Sequence, residues 1–155
     1  FSNILSDADD SIFFLRSWQK TYSAFQEKCE SIWSEGNKWI AHFDLAAYYD
    51  TISHDLLLRI ASPKNRHGDT LKKVEEWLGT WSTTSSHGIP QGPIASDFLA
   101  EAFFLPIDKE LRKKQIKYVR YVDDIRLFGK SENQAIKAAL TLEMLCRERG
   151  LIPQS

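Results

Sequence analysis

Two adjacent carboxylates occur in the segment Tyr121-Val122-Asp123-Asp124, between the strand-like runs 116–121 and 125–128. The composition of these runs predicts a hairpin with the carboxylates at its turn. Neighbouring like charges repel each other, so a folded chain keeps them together when a positive charge lies in front of them. A divalent metal ion is the positive charge that this arrangement favours.

A third carboxylate, Asp44, ends the strand-like run 39–44, in which side-chain alternation puts His42 and Asp44 on one face. If this strand and the hairpin share one antiparallel sheet, Asp44 converges with Asp123 and Asp124 at one edge. Ligand sets made only of oxygen atoms suit Mg²⁺ or Mn²⁺. Two such ions about 3.5–4 Å apart can promote an in-line phosphoryl displacement. The pattern favours nucleotidyl transfer, although paired aspartates also occur at ordinary surface turns.

Three segments resemble, in order, motifs A, B and C of the reverse transcriptase superfamily: Asp44-Leu-Ala-Ala-Tyr-Tyr49-Asp50, Gly88-Ile-Pro-Gln91-Gly92-Pro-Ile-Ala-Ser96 and Tyr121-Val-Asp123-Asp124. Gly150-Leu151 resembles the start of motif D. The resemblance covers about residues 39–151. It implies an α+β fold, a polymerase palm-like domain with a small antiparallel sheet packed on helices. We expect residues 1–155 to form this single domain, with fingers and thumb in other parts of a longer protein.

The resemblance also implies a metal site for two Mg²⁺ ions, with Mn²⁺ as a possible substitute. Asp44 and Asp123 would be the main ligands, and Asp124 a neighbouring carboxylate with a less direct role. The backbone carbonyl of Leu45 would complete the coordination of the ion that carries the triphosphate.

Five further residues receive substrate-binding roles from the resemblance. Tyr49 occupies the place of a steric gate that disfavours a ribose 2′-hydroxyl, although it could also be a core residue. Gln91 and Gly92 would contact the incoming nucleotide and the template, although Gln91 could also be only a turn residue. Tyr121 and Val122 would support the primer terminus.

The function implied is that of an RNA-directed DNA polymerase, which adds deoxynucleotides to a 3′-hydroxyl on an RNA or DNA template. The segments around Ala100-Glu101 and Arg120-Tyr121 resemble most the bacterial reverse transcriptases of retroelement and phage-defence systems. Template-independent or protein-primed DNA synthesis uses the same motifs. A catalytically silent palm that serves as an interaction module is the alternative from another class, and a nucleotide cyclase is a more distant one.

Composition limits the class of protein. The 155 residues carry a net charge of −1, and 43% of them are hydrophobic, which is enough for one buried core. No apolar run reaches the roughly 20 residues of a membrane span, and two cysteines are too few for a disulfide framework. We therefore expect a cytoplasmic protein. Because the resemblance implies that fingers and thumb are needed for substrate binding, we also expect the isolated palm to be poorly active.

One short segment is strongly basic: Lys109, Arg112, Lys113, Lys114, Lys117 and Arg120. It could be a phosphate-binding surface, because nucleic-acid affinity depends on such cations. It could equally be a solvated helix end, where cations complement the helix dipole.

Apolar periodicity and capping signals predict the remaining elements. Helices are expected at 11–33, at 54–60 after Ser53, and at 70–78 after Asp69. The apolar stripe of the helix at 70–78 consists of Leu71, Val74, Trp77 and Leu78. A polar connection follows at 80–87. A long helix should begin at Pro93, with a kink or restart at Pro106. The last helix should begin with the capping box 131–134, end near Arg149 and pack on the sheet through Ile136, Ala139, Leu140 and Met144.

Overall fold

The computed structural model describes residues 18–62, 68–82 and 86–154. Its helices are Trp18–Ser34 (α1), Tyr48–Thr51 (α2), His54–Ala61 (α3), Gly68–Trp81 (α4), Ile94–Lys113 (α5) and Glu132–Arg147 (α6). Its strands are Trp39–Ala46 (β1), Lys117–Tyr121 (β2), Asp124–Gly129 (β3) and Ile152–Gln154 (β4). None of the helices in these ranges has the length and apolar character needed to cross a membrane.

The four strands form one antiparallel sheet in the order β2-β3-β1-β4. Phe43 of β1 is paired with Ile125 of β3, so the end of β1 lies beside the β2–β3 turn. Strand β1 continues two residues beyond the predicted end at Asp44, because β4 pairs with it from Asp44 to Ala46. The predicted α+β fold with a small antiparallel sheet is confirmed.

The two faces of the sheet are covered differently. On one face Phe43, Leu45, Ile125 and Leu127 are buried in the main core, which also contains side chains of α5 and α6. On the other face α1 covers β2 and β3 through a second cluster consisting of Phe25, Cys29, Ile32, Val119 and Phe128. Ile40, His42 and Asp44 of β1 remain exposed on this second face. The sheet therefore offers one open strip of β1, which ends at Asp44.

The helix starts follow their capping signals. The side chain of Ser53 accepts from the Leu56 amide at 3.4 Å, and that of Ser131 accepts from the Gln134 amide at 3.3 Å. The side chain of Gln134 accepts from the Lys130 amide, one residue earlier than a capping box requires. Both helices begin where the sequence predicts, since each cap satisfies an otherwise unpaired amide.

Helices α4 and α5 differ from expectation, and the predicted start of α1 is not tested. Residues 11–17 of the first predicted helix lie outside the described residues. Helix α4 extends to Trp81, into the predicted polar connection, and Trp77 is exposed rather than buried. Helix α5 begins at Ile94, after Pro93, and runs through Pro106 without the predicted restart. Burial of side chains on both sides of Pro106 offsets the roughly 3 kcal/mol that a proline costs inside a helix.

The predicted packing face of α6 was wrong. Ile136, Leu140 and Met144 are exposed at 48%, 54% and 65%, and Ala139 is only partly buried. The buried residues are Ala135, Ala138, Leu142 and Cys146. The reason is the close approach of α6 to the end of β3, where a Cβ at Gly129 would lie 2.7 Å from the Ala135 nitrogen. With Ala135 held against Gly129, the same side of α6 directs Ala138, Leu142 and Cys146 into the main core.

We predict that Leu142→Ala and Leu140→Ala have unequal effects on stability. Leu142 is fully buried, so its truncation should lower the free energy of unfolding by about 2–5 kcal/mol. Leu140 lies two residues away and is half exposed, so its truncation should change that energy by no more than about 0.5 kcal/mol. Urea unfolding followed by circular dichroism measures both values. Equal losses would contradict the observed orientation of α6.

Candidate active site

The predicted carboxylates come together where β1 ends beside the hairpin turn. One step beyond the pair Phe43 and Ile125, the register places Asp44 next to Asp124. Asp123 lies in the turn, and the negative charges of Asp44 and Asp124 both raise its pKa. The three residues therefore share one edge of the sheet, as the sequence predicts.

Asp123 is half-buried, and burial is the main cause that raises its pKa above the ordinary value of 3.8. Repulsion from Asp44 and Asp124 raises it further. The backbone amide of Asp123 itself and the more distant Arg120 lower the pKa, without cancelling the rise. The ionised form of Asp123 is consequently destabilised in the protein alone, and a bound cation would relieve this.

Asp124 is held by neighbouring side chains. The Nε2 atom of His42 lies 2.9 Å from Asp124 Oδ1, and Nη2 of Arg126 lies 3.5 Å from Oδ2. Both carboxylate oxygens thus face cationic or hydrogen-bonding groups. This arrangement agrees with the less direct role expected for Asp124.

The fit of a metal ion rests on Asp44 and Asp123. Within the ranges that the structure describes, no group of three or more histidine, cysteine, aspartate or glutamate side chains is arranged to hold an ion. The donors available at the edge are two carboxylates, and such oxygen donors suit a hard divalent cation. The chemistry of this pair fits Mg²⁺, and further oxygen ligands would come from the backbone, water or substrate.

Tyr49 lies in α2, and 9% of the residue is exposed. Its hydroxyl donates to Asp97 Oδ1 at 2.7 Å, and its ring meets that of Tyr48 edge-on. Burial raises the pKa of Tyr49, and the charges of Asp97 and then Asp123 raise it further. The ring is therefore both a core residue and a neighbour of the acidic edge. Sequence reasoning missed Asp97, whose only signal is its place in the first helical turn after the glycine-containing segment.

The segment 88–92 is tied to the same part of the chain. The Ile89 amide donates to the Tyr49 carbonyl at 3.0 Å, and the Gly88 amide donates to the Ile52 carbonyl at 2.9 Å. Gln91 is exposed beyond these bonds. Gly92 has φ +106°, and a Cβ there would meet nothing within 4 Å. Glycine is thus required by backbone conformation, and contact of Gln91 or Gly92 with a nucleotide stays a prediction.

The turn residues Tyr121 and Val122 have different surroundings. The ring of Tyr121 packs against Tyr22 and Phe25 of α1, with ring centroids 5.6 and 5.9 Å away. Val122 has φ +56°, a conformation that costs a β-branched residue about 1–3 kcal/mol. Their support of a primer end stays a prediction. The strain at Val122 indicates that surrounding contacts hold the turn in its left-handed conformation.

Arg120 does not belong to the predicted basic surface. It is fully buried between Glu101 and Asp108 of α5, with Nη2 2.7 Å from Glu101 Oε2 and 2.8 Å from Asp108 Oδ2. Tyr118 also donates to Asp108, at 2.9 Å. The sequence signal for this buried cluster is that Glu101 and Asp108 lie seven residues apart on one helix, while their partners Tyr118 and Arg120 alternate on one strand. Burial raises the pKa of Glu101, while Arg120 lowers it.

Two lysines of the basic segment form exposed ion pairs. Lys113 lies 3.6 Å from Glu110, and Lys117 lies 3.4 Å from Glu35. Exposed pairs of this kind contribute little to stability. These contacts fit the solvated-end interpretation for these two residues, and nucleic-acid binding by the segment stays a prediction.

A small antiparallel sheet with acidic residues at one edge and helices behind it defines the class as palm-like. Residues 4–154 match the family described as "Reverse transcriptase (RNA-dependent DNA polymerase)". The chain belongs to this reverse transcriptase family and is a domain of the reverse-transcriptase polymerase type.

A solved structure with a similar fold is the apo telomerase from Candida tropicalis truncated from the C-terminal domain. The match has a TM-score of 0.62 and 12% sequence identity, and it covers 99% of this chain and 38% of the telomerase chain. At this identity the likeness concerns the fold alone. The comparison with curated protein sequences gives no match.

We predict that Asp123→Asn stabilises the fold in the presence of EDTA. The raised pKa means that ionised Asp123 opposes folding above that pKa and has no such effect below about pH 3.8, where both states are protonated. The variant should therefore unfold at a higher temperature near neutral pH, and its advantage should shrink as the pH falls. Calorimetry across this range checks both statements.

Asp55→Asn is the matched control for Asp123→Asn. Asp55 is exposed and pairs with Arg59 at 2.8 Å, so its loss should not raise the unfolding temperature. An equal gain in the control, or a gain for Asp123→Asn that grows as the pH falls, would contradict the electrostatic interpretation.

Proposed function

We propose that this chain is the palm catalytic domain of an RNA-directed DNA polymerase, which adds deoxynucleotides to a primer 3′-hydroxyl. The observation that carries the proposal is that Asp44 and Asp123 lie at the same edge of the sheet, where the charge of Asp44 raises the pKa of Asp123. Membership of the reverse transcriptase family supplies the reaction class. Substrates are deoxynucleoside triphosphates and a primer on an RNA or DNA template.

Asp44 and Asp123 would hold Mg²⁺, for which Mn²⁺ is a substitute, together with the backbone carbonyl of Leu45. When bound, the ions would supply activation of the attacking 3′-hydroxyl and stabilisation of the leaving pyrophosphate. Asp124 would not be a main metal ligand, because His42 and Arg126 already contact its carboxylate oxygens. Its negative charge adds to the field that attracts the cation.

Tyr49 would select deoxynucleotides by the position of its ring. Burial and the hydrogen bond to Asp97 leave the ring little freedom to move away from a 2′-hydroxyl. The exclusion of ribonucleotides would thus depend on a ring that is already in place before substrate binds. A preorganised group of this kind has no ordering cost during binding.

Gln91 and Gly92 would contact the incoming nucleotide and the template, and Tyr121 and Val122 would support the primer terminus. Gln91 and Gly92 are exposed in the segment tied to Tyr49, while Tyr121 and Val122 are partly exposed beside Asp123. Fingers and thumb of a longer protein would complete the binding cleft. The chain spans 38% of the telomerase chain that it resembles, which leaves room for such parts.

The biological setting that we favour is a bacterial retroelement or a phage-defence system in the cytoplasm. Support comes only from the residues around Ala100-Glu101 and Arg120-Tyr121, whose pattern resembles that group. Synthesis without a template or from a protein primer uses the same palm. Extension assays with and without a template distinguish these modes.

We predict that Asp123→Asn in the natural full-length protein lowers primer extension on an RNA template by at least about 10²- to 10³-fold. The amide keeps the size of the side chain and removes the charge that binds the cation. Asp55→Asn is the control and should extend primers at the wild-type rate. Equal extension by wild type and Asp123→Asn would reject the catalytic proposal and favour a silent palm that serves as an interaction module.

We predict that Tyr49→Ala reduces the preference for deoxynucleotides over ribonucleotides by roughly 10- to 200-fold, because the obstructing ring is gone. Tyr49→Phe keeps the ring and loses only the hydroxyl bond to Asp97, so it should retain most of the preference. Single-nucleotide incorporation kinetics with each substrate give the ratio. If Tyr49→Ala kept the wild-type ratio, the gate assignment would fail.

A further inference from the structure

All five N–H groups of the buried Arg120 guanidinium have an acceptor. Nε and Nη2 donate to the two oxygens of Asp108 at 3.3 and 2.8 Å, and Nη1 and Nη2 donate to the two oxygens of Glu101 at 2.9 and 2.7 Å. The fifth donor, on Nη1, reaches the backbone carbonyl of Val122 at 2.9 Å. The group therefore connects α5 directly to the turn that contains Asp123.

The acceptor of this fifth bond belongs to the strained residue of the turn. Val122 has φ +56°, which a β-branched residue adopts only when its surroundings enforce it. The two carboxylates fix the plane of the guanidinium, so Nη1 offers its donor in one direction only. The bond to Val122 is thus a rigid restraint on the left-handed turn.

We propose that Arg120 is a positioning residue that holds the 121–124 turn in its left-handed conformation and so places Asp123 for catalysis. Glu101 and Asp108 serve this role by clamping the guanidinium from α5. The catalytic consequence rests on the proposed polymerase function, whereas the effect on the turn does not.

The same helix positions a second part of the site. Asp97 in the first turn of α5 fixes the hydroxyl of Tyr49, and Glu101 follows one turn later. Helix α5 therefore holds both the turn that carries Asp123 and the ring of Tyr49 in position. A shift of Arg120 would change the distance between Asp123, the proposed metal ligand, and Tyr49, the proposed steric gate, without removing either residue.

The cluster is poorly explained as a device for stability alone. Burial of charged groups costs desolvation energy that their attraction often only balances. Its distinctive property is geometric, because a lysine or an apolar residue could fill the space but could not make five directed bonds. Arg120 variants must therefore be compared with a variant that lowers the stability of the fold without displacing the 121–124 turn.

The main variant is Arg120→Lys in the natural full-length protein. Its ammonium keeps the charge and can bond to the carboxylates, but it lacks the fork that also reaches Val122. We expect kcat for primer extension to fall about 10²-fold. The KM for the nucleotide should stay within about twofold, because the nucleotide contacts are retained.

Leu142→Ala is the matched control for lost stability, since it empties a buried site on α6 and leaves the Arg120 hydrogen bonds in place. At a temperature where both variants are folded by circular dichroism, Leu142→Ala should keep the wild-type kcat. Equal kcat for Arg120→Lys and Leu142→Ala would overturn the proposal. If Arg120→Lys does not fold, Glu101→Gln replaces it and should lower kcat about tenfold, because one charge-assisted bond to the guanidinium is lost.

A second substitution tests the link to Val122. Glycine adopts positive φ without the steric cost of a side chain. We compare the effect of Val122→Gly on kcat in two proteins, one with Arg120→Lys and one with the native Arg120. The ratio of kcat with glycine to kcat with valine should be about tenfold higher in the Arg120→Lys protein, because the turn no longer needs the restraint. Strictly independent effects of the two substitutions would contradict the proposed coupling.

Hydrogen exchange of the peptide that contains residues 121–124 gives a measurement without catalysis. Arg120→Lys should exchange these amides faster than Leu142→Ala does, under conditions where both are folded. Unchanged exchange would overturn the positioning role even if activity fell. A wild-type protein that does not extend primers would reject the proposed function, while the exchange result would still decide the role of Arg120.

Discussion

The antiparallel pairing of β1 with β3 is the constraint on which the site depends. It fixes Asp44 beside the hairpin, although about 80 residues separate the two segments in the chain. A slip of one residue would turn Asp44 toward the main core and Phe43 toward solvent. The burial of Phe43 and Leu45 therefore determines where Asp44 lies. The position of Asp44 at this edge thus follows from hydrophobic alternation along one strand.

Features that depend on local chemistry could be predicted from the sequence. Alternation along β1, the hairpin and the caps at Ser53 and Ser131 each follow from a few neighbouring residues, and each occurs in the structure. The meeting of the three carboxylates also followed, because it needs only strand pairing in register. These predictions used patterns whose physical cause lies within a single element or a single pair of strands.

Features that depend on packing between elements could not be predicted in this way. The rotation of α6 follows the close approach of Ala135 to Gly129, and no periodicity in α6 itself shows that approach. Arg120 looked like one of six cations until burial placed it between two acids of α5. Asp97 likewise has a partner only because α2 and α5 meet. In each case the deciding neighbour is distant in sequence.

The two acidic groups of the domain differ in how their charge is balanced. Beneath the turn, Arg120 is surrounded by acceptors, and its attraction is the smallest of the effects on the pKa of Asp123. The guanidinium therefore restrains the turn through Val122 and does little to neutralise the carboxylates above it. At the edge, burial and the charges of Asp44 and Asp124 raise the pKa of Asp123. An edge that is held rigidly but left electrostatically unbalanced has affinity available for a cation, which is the property that the proposed metal site would need.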